Sequence, residues 1–334
     1  MRKALHADVP EGGEAPLLPD PRADLGPALL DRYLGSLVGL AVGDALGASV
    51  EFSPAGSFEP VTDMIGGGPF DLRPGEWTDD TSMALCLAES LINCGDFHPR
   101  DQLTRYWKWY KTGHLSSTGH CFDIGVTVSH ALQRFERTGA DYCGSTDPLT
   151  AGNGSLMRLA PVALFFASKP WAAMEWSGES SRTTHAARTA VDACRFFAAL
   201  LVGAVTGVAK SELLASMYSP VLGYWESHPL AEEVERIARG SYRVKEPPEI
   251  VGSGYVVECL EAALWAFHTT ESFEEGCLRA VNLGDDADTT AAVYGQLAGA
   301  YYGVRNIPLA WRRKLAKPEI IDQYAIALYQ LSRS

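Results

Sequence analysis

Residues 282–303 read NLGDDADTTAAVYGQLAGAYYG. Gly284 marks a turn, and Asp285, Asp286, Asp288, Thr289 and Thr290 follow within six residues. Beyond them, apolar side chains recur at three- and four-residue spacing, the period of a helix. A second stretch, residues 75–91, repeats the design as GEWTDDTSMALCLAESL. Asp and Thr cap helices, and negative side chains suit the positive N-terminal end of the helix dipole. Capping accounts for one or two acids per helix start. It accounts less well for Asp79 with Asp80 in one place and three aspartates in the other, each group interleaved with threonines. If the two starts converge, the shared charge raises carboxylate pKa values or requires cations. A ligand set of Asp and Thr oxygens, with no His or Cys in either motif, suits hard Mg²⁺ or Mn²⁺ rather than Zn²⁺. Thr78, Asp79 and Asp80 would form one side of such a centre, and Asp286, Asp288 and Thr289 the other. At this point a dinuclear metal site and a pair of ordinary N-caps both remain open.

The rest of the chain carries the same period. Residues 85–91, 106–110, 126–135, 187–202, 256–267 and 290–302 all lie in stretches with helical apolar spacing, many rich in Ala and Leu. No sustained alternating run predicts a strand, and no repeat of 20–50 residues is visible. The expectation is an all-α fold, a compact all-helical single domain over residues 30–334. A third acidic motif, GLAVGDALGASVEF at residues 39–52, sets Asp44 seven residues before Glu51. Both would share one face if the helix continues. The small residues Gly39, Ala41, Gly43, Ala45, Gly47 and Ala48 invite close approach of another backbone. A surface pair is one reading; the other offers Glu51 to the metal cluster or to an attacking water.

Of the 334 residues, 46% are hydrophobic and 21% charged, which excludes a wholly disordered or collagen-like chain. The net charge of −13 argues against a nucleic-acid partner bound by overall phosphate attraction. The longest strongly apolar stretch, residues 196–209, falls short of the roughly 20 residues needed to cross a bilayer. No apolar block follows the two basic residues at the N-terminus, so no secretory signal is read. A soluble, cytoplasmic monomer without membrane contact is expected. The seven cysteines include no C-x-x-C pair and suit reduced core positions. Residues 1–29 hold five of the 19 prolines and no aromatic residue, and are expected to form a flexible arm.

Other residues have both plain and functional readings. Asp123 in GHCFDIG precedes a helical segment, where an N-cap is the plain reading. In TAGNGSLMR, residues 150–158, glycines before a helix suit either a tight turn or a cradle of N–H groups for a diphosphate. His185 reads as an ordinary helix histidine. Tyr255, after two glycines, reads as a core tyrosine or a surface for adenine stacking. Trp107, Trp109 and Trp265 are expected in the core.

Five motifs now stand in order: G39-L-A-V-G-D-A-L-G-A-S-V-E-F52, T78-D-D-T81, G152-N-G-S-L-M-R158, T184-H-A and G284-D-D-A-D-T-T290. Together they resemble the ADP-ribosylglycohydrolases, most of all the bacterial branch of the dinitrogenase reductase-activating glycohydrolase, from about residue 33 to 303. The resemblance implies an all-α fold around two Mg²⁺ or Mn²⁺ ions and hydrolysis of the glycosidic bond between ADP-ribose and a modified side chain. It makes Thr78, Asp79, Asp80, Asp286, Asp288 and Thr289 the metal ligands and Glu51 a mobile carboxylate near metal or water. By the same resemblance, the Asp123-Ile124-Gly125 step faces the ribose and a leaving guanidinium. Asn153, Gly154 and Ser155 contact ADP-ribose, and His185 lines the cleft. Two departures stand out: Val126 replaces a frequent Asn, and Asp285 replaces a frequent Gly and is expected only to cap its helix. The implied partner is an ADP-ribosylated protein, arginine-linked rather than serine-linked or a free conjugate. The competing reading is an immunity or regulatory module that blocks a cognate ADP-ribosyltransferase through the N-terminal arm. A third is a structural protein on an enzyme scaffold, which the intact set of acids disfavours.

Overall fold

The computed structural model describes residues 26–333. The chain there forms α1 (Gly26–Gly47), α2 (Asp79–Cys94), α3 (Pro99–Thr112), α4 (Val126–Thr138), α5 (Ala160–Phe165), α6 (Pro170–Arg182), α7 (Arg188–Thr206) and α8 (Lys210–Leu213). It continues with α9 (Tyr224–Ser227), α10 (Glu232–Ala238), α11 (Val256–His268), α12 (Phe273–Val281), α13 (Ala287–Tyr302), α14 (Leu309–Lys314) and α15 (Pro318–Leu331). No strand occurs among the described residues; isolated bridges join Gly67 to Leu72, Ser145 to His185 and Gly152 to Tyr255. The all-helical expectation is met. The arm expected over residues 1–29 lies outside the described residues as far as residue 25, and its last four residues already belong to α1.

The organising contact is between α1 and α13. Gly35, Gly39, Gly43 and Gly47 recur every fourth residue, so they line one face of α1. A methyl group on Gly35 would overlap the carbonyl of Gly299, on Gly39 that of Gly295 and on Gly43 that of Ala291. Gly47 stands equally close to the backbone of Asp288. Rising numbers on α1 meet falling numbers on α13, so the two helices run antiparallel with their backbones in contact. The seam therefore delivers the end of α1 to the start of α13.

Around this pair, α12, α11, α15 and α7 pack on the outside, and α2 joins through α3, α5 and α15. Helices α2 and α3 stop at Gly95 and Gly113, both left-handed, whose N–H groups return to the carbonyls of Leu91 and Trp109. At 19 residues α7 is long and apolar enough to span a membrane, yet 83% of its most apolar window is buried in the protein. Core packing accounts for its composition. Trp109 and Trp265 are core residues as expected. Trp107 is half-buried, with the Lys111 ammonium 5.8 Å from its ring. All seven cysteines are free; five are buried, but Cys94 is exposed and Cys121 half-buried, which corrects a wholly interior set.

Candidate metal centre and substrate cleft

The starts of α2 and α13 meet. Thr78 Oγ1 lies 3.2 Å from Asp288 Oδ2 and 3.3 Å from Asp80 Oδ2, and Thr289 Oγ1 lies 3.3 Å from Asp80 Oδ2. The junction is organised by Asp44, a fully buried residue of α1. Its Oδ1 accepts from the Thr78 N–H at 2.8 Å, and its Oδ2 from the Thr81 N–H at 3.0 Å and the Thr81 hydroxyl at 2.6 Å. Thr78 itself makes no side-chain cap, so the orphan N–H groups of α2 are capped from another helix. The reading of Asp44 and Glu51 as one face fails because α1 ends at Gly47 and Glu51 sits in the following turn. That turn is tied to the start of α13 by reciprocal bonds: the Phe52 N–H donates to the Asp285 carbonyl (2.7 Å) and the Asp285 N–H to that of Ser53 (2.8 Å). Asp285 has a φ of 52° and clasps backbone instead of capping the helix; this left-handed conformation explains why glycine suits the position. Asp286 is the N-cap residue.

Asp123 is not the cap of α4 either, because Gly125 occupies that position. With a φ of 56°, Asp123 turns toward Glu51, and one oxygen each from Glu51, Asp123 and Asp288 lies within 4.8 Å of the others. The centre has too few donors. Thr78 Oγ1 carries one hydrogen for three carboxylate neighbours, and Glu51 Oε2, Asp80 Oδ1 and Asp288 Oδ1 are buried without a hydrogen-bond partner. Burial, then repulsion from Asp123, Asp286 and Asp80, pushes Glu51 up to about 10. Burial and the charges of Asp44 and Asp286 push Asp123 up to about 7. Asp79, Asp80 and Asp288 are driven well above the usual carboxylate range, by burial first and neighbouring acids second. Asp44 rises only to about 6, because the Thr81 and Thr78 bonds offset its burial. Clustered buried oxygens without donors match the demand of hard divalent cations.

On the far wall, the turn at residues 152–154 packs against residues 253–255. The Asn153 N–H donates to the Gly254 carbonyl (3.0 Å), and its side-chain amide donates to Asp286 Oδ2 (2.7 Å). Asn153 therefore orients an acid of the centre. The Ser155 hydroxyl is buried, 2.8 Å from that of Ser181. Gly154 lies against the His185 ring. Tyr255 is 39% exposed, which removes the core reading. Nothing crowds Gly125, and Val126 beside it is exposed. An aromatic chain borders the two mouth carboxylates: Phe52 lies 6.5 Å from Phe70, and Phe70 lies 5.3 Å from Phe122.

The ADP-ribosylglycohydrolase family model matches residues 25–334. The chain belongs to this family. It is 44% identical over 306 residues to the ADP-ribosylarginine hydrolase Tri1 of Serratia proteamaculans, covering 91% of this chain and 80% of that protein. To the ADP-ribosyl-[dinitrogen reductase] glycohydrolase of Rhodospirillum rubrum it is 33% identical over 298 residues, covering 87% and 92%. A solved ADP-ribosylglycohydrolase-related protein complex superposes with a TM-score of 0.80 at 47% identity, over 91% of this chain and 99% of that one. The protein is thus a glycohydrolase, and its acidic cluster lies where two helix starts converge. Asp44, read from the sequence only as the partner of Glu51, is a buried and saturated carboxylate, which its place inside an unbroken run of small and apolar residues signals.

Proposed function

We propose that this glycohydrolase removes ADP-ribose from a modified arginine side chain of a protein, using two divalent ions, Mg²⁺ or Mn²⁺. The observation that carries the reading is the gathering of Glu51, Asp123 and Asp288 oxygens within 4.8 Å, beside buried carboxylate oxygens that lack donors. The names of the two arginine- and dinitrogen-reductase-directed relatives support a protein substrate. Thr78, Asp79, Asp80, Asp286, Asp288 and Thr289 would hold the ions. When bound, these would supply Lewis acidity toward the ribose hydroxyls and acidify a water. With cations offsetting the repulsion that raises it, Glu51 would be ionised, orient the attacking water and receive its proton. As the bond from ribose C1′ to the guanidino nitrogen breaks, oxocarbenium character builds at C1′ and the water oxygen bonds there. The departing nitrogen keeps the bonding electron pair and takes up the water's proton, so arginine leaves with its guanidinium cationic. Asp123 faces that planar cation and pairs with it.

Incubation with arginine- and serine-ADP-ribosylated proteins, followed by measurement of released ADP-ribose, tests the reading. Release from arginine, inhibition by EDTA and recovery with Mg²⁺ or Mn²⁺ are expected. Release from serine alone, or recovery with Zn²⁺ alone, would overturn the linkage or the oxygen-ligand argument. Deleting residues 1–25 leaves hydrolysis intact on this reading, whereas loss of all effect on a transferase-modified target would restore the blocking-arm alternative.

A further inference from the structure

Arg158 ends the motif at residues 152–158, yet it touches no acid of the metal centre. It is fully buried, its guanidinium carbon 4.4 Å from the Tyr106 ring centroid. Its Nη1 reaches only Met83 Sδ at 3.6 Å, and its Nε has no partner. The one strong bond it makes runs from Nη2 to Thr184 Oγ1, at 2.7 Å. An interior guanidinium without a carboxylate is costly to keep, so that single bond is the place to look for its purpose.

Thr184 Oγ1 also lies 2.8 Å from His185 Nδ1. Arginine can only donate, so the threonine oxygen accepts from it. Were Nδ1 protonated, the oxygen would face two donors, and its own hydrogen would point into the interior with no acceptor. Thr184 is fully buried, and that arrangement leaves a donor unsatisfied. The satisfied arrangement sends the threonine hydrogen to Nδ1 and leaves the imidazole proton on Nε2. His185 is 98% enclosed, its backbone N–H bonded to the Ser181 carbonyl at 2.7 Å and its carbonyl accepting from the Ser181 hydroxyl at 2.8 Å. Nε2 has no partner among the described residues. It lies 3.2 Å from where a Gly154 side chain would begin and 3.5 Å from the same point on Gly152. The atom thus borders the turn whose Asn153 holds Asp286.

We propose that Arg158 is a positioning residue which, through Thr184, locks His185 in the Nε2–H tautomer, making the ring a neutral hydrogen-bond donor to an oxygen of ADP-ribose at the 152–154 turn. The identity of the ligand rests on the proposed function; the tautomer does not. Burial, aided by the Arg158 charge, lowers His185 to about 3, so the ring stays uncharged through the neutral range. A fixed donor without charge binds an oxygen without adding a cation beside the metal acids.

Long-range proton–nitrogen NMR on the full chain labelled with ¹⁵N-histidine reads the tautomer directly, with the His185→Gln spectrum assigning the signal. A protonated Nε2 and a bare Nδ1, unchanged from pH 5 to 8, are expected in the free protein. A protonated Nδ1, or titration in that range, overturns the relay. Thr184→Val should mix the tautomers and raise KM and the ADP-ribose dissociation constant by about tenfold, with kcat little changed. Thr184→Ser should restore both. Unchanged tautomer and affinity in Thr184→Val would also overturn it. Should Thr184→Val fail to fold, the wild-type spectrum still decides. Failure of the wild-type protein to bind ADP-ribose would count against the functional reading, while the spectrum judges the relay separately.

Discussion

The α1–α13 pair shows two opposite regions on the same two helices. Along the seam, Gly35, Gly39 and Gly43 let backbone meet backbone, and the Ser36 hydroxyl donates across it to the Gln296 carbonyl at 3.0 Å. At its end the same helices hand Asp44 and Asp288 to a space that also contains Asp79, Asp80 and Glu51, where burial and like charge raise the carboxyls together. The seam is satisfied by the protein alone; the acid end is satisfied only by protons or cations. Close packing in the first region is what holds the second together against its own repulsion, an arrangement of stored electrostatic strain common at functional sites.

The sharpest way to break the comparison is Asp288→Asn. Turnover of ADP-ribosylated substrate should fall by about a thousandfold or more, while in EDTA the urea midpoint should rise above wild type, because one buried acid no longer has to take up a proton on folding. A lower midpoint would show that Asp288 stabilises the fold and that the acid end is not strained. Gly43→Ala should do the reverse. Its methyl meets the Ala291 carbonyl, and a cost of about 3 kcal/mol in urea unfolding is expected, with activity falling as the acids separate. An unchanged midpoint would mean that the seam yields freely.

Next in size is the effect of pH. Glu51 and Asp123 have raised pKa values in the folded protein, so the folded state binds more protons than the unfolded one between about pH 5 and 8. Their stabilisation is complete below the unfolded carboxylate values and fades as pH climbs through the folded values. In EDTA, stability should therefore drop by several kcal/mol from pH 5 to 8, and Mg²⁺ or Mn²⁺ should flatten the slope. A rise in stability with pH in EDTA would contradict the raised values. The smallest effect sharpens the border of the acid end: Asn153→Ala frees Asp286, and the metal concentration for half-maximal activity should increase by about tenfold. Titration of Mn²⁺ against activity measures it, and no change would confine Asn153 to holding the turn.

Much of this was legible before the fold was known. The three- and four-residue apolar spacing that marks α2, α11 and α13 is a local property, as is the Asp/Thr content at the starts of α2 and α13. The cap readings of Asp123 and Asp285 went astray because local sequence places an acid near a helix start without showing which way its backbone turns; both adopt left-handed φ values that aim them elsewhere. Asp44 looked like half of a surface pair because its partners, Thr78 and Thr81, lie more than thirty residues away. The contact of Ser155 with Ser181 and the chain from Arg158 to His185 escaped notice for the same reason.

Residue chemistry alone settled that the protein is helical and that its acids offer only hard oxygen ligands, since backbone period and donor type belong to each segment separately. Which oxygens face one another was decided by the antiparallel glycine contact between segments some 250 residues apart in sequence. Like charges do not gather unaided, so their meeting depends on packing elsewhere that no single motif encodes.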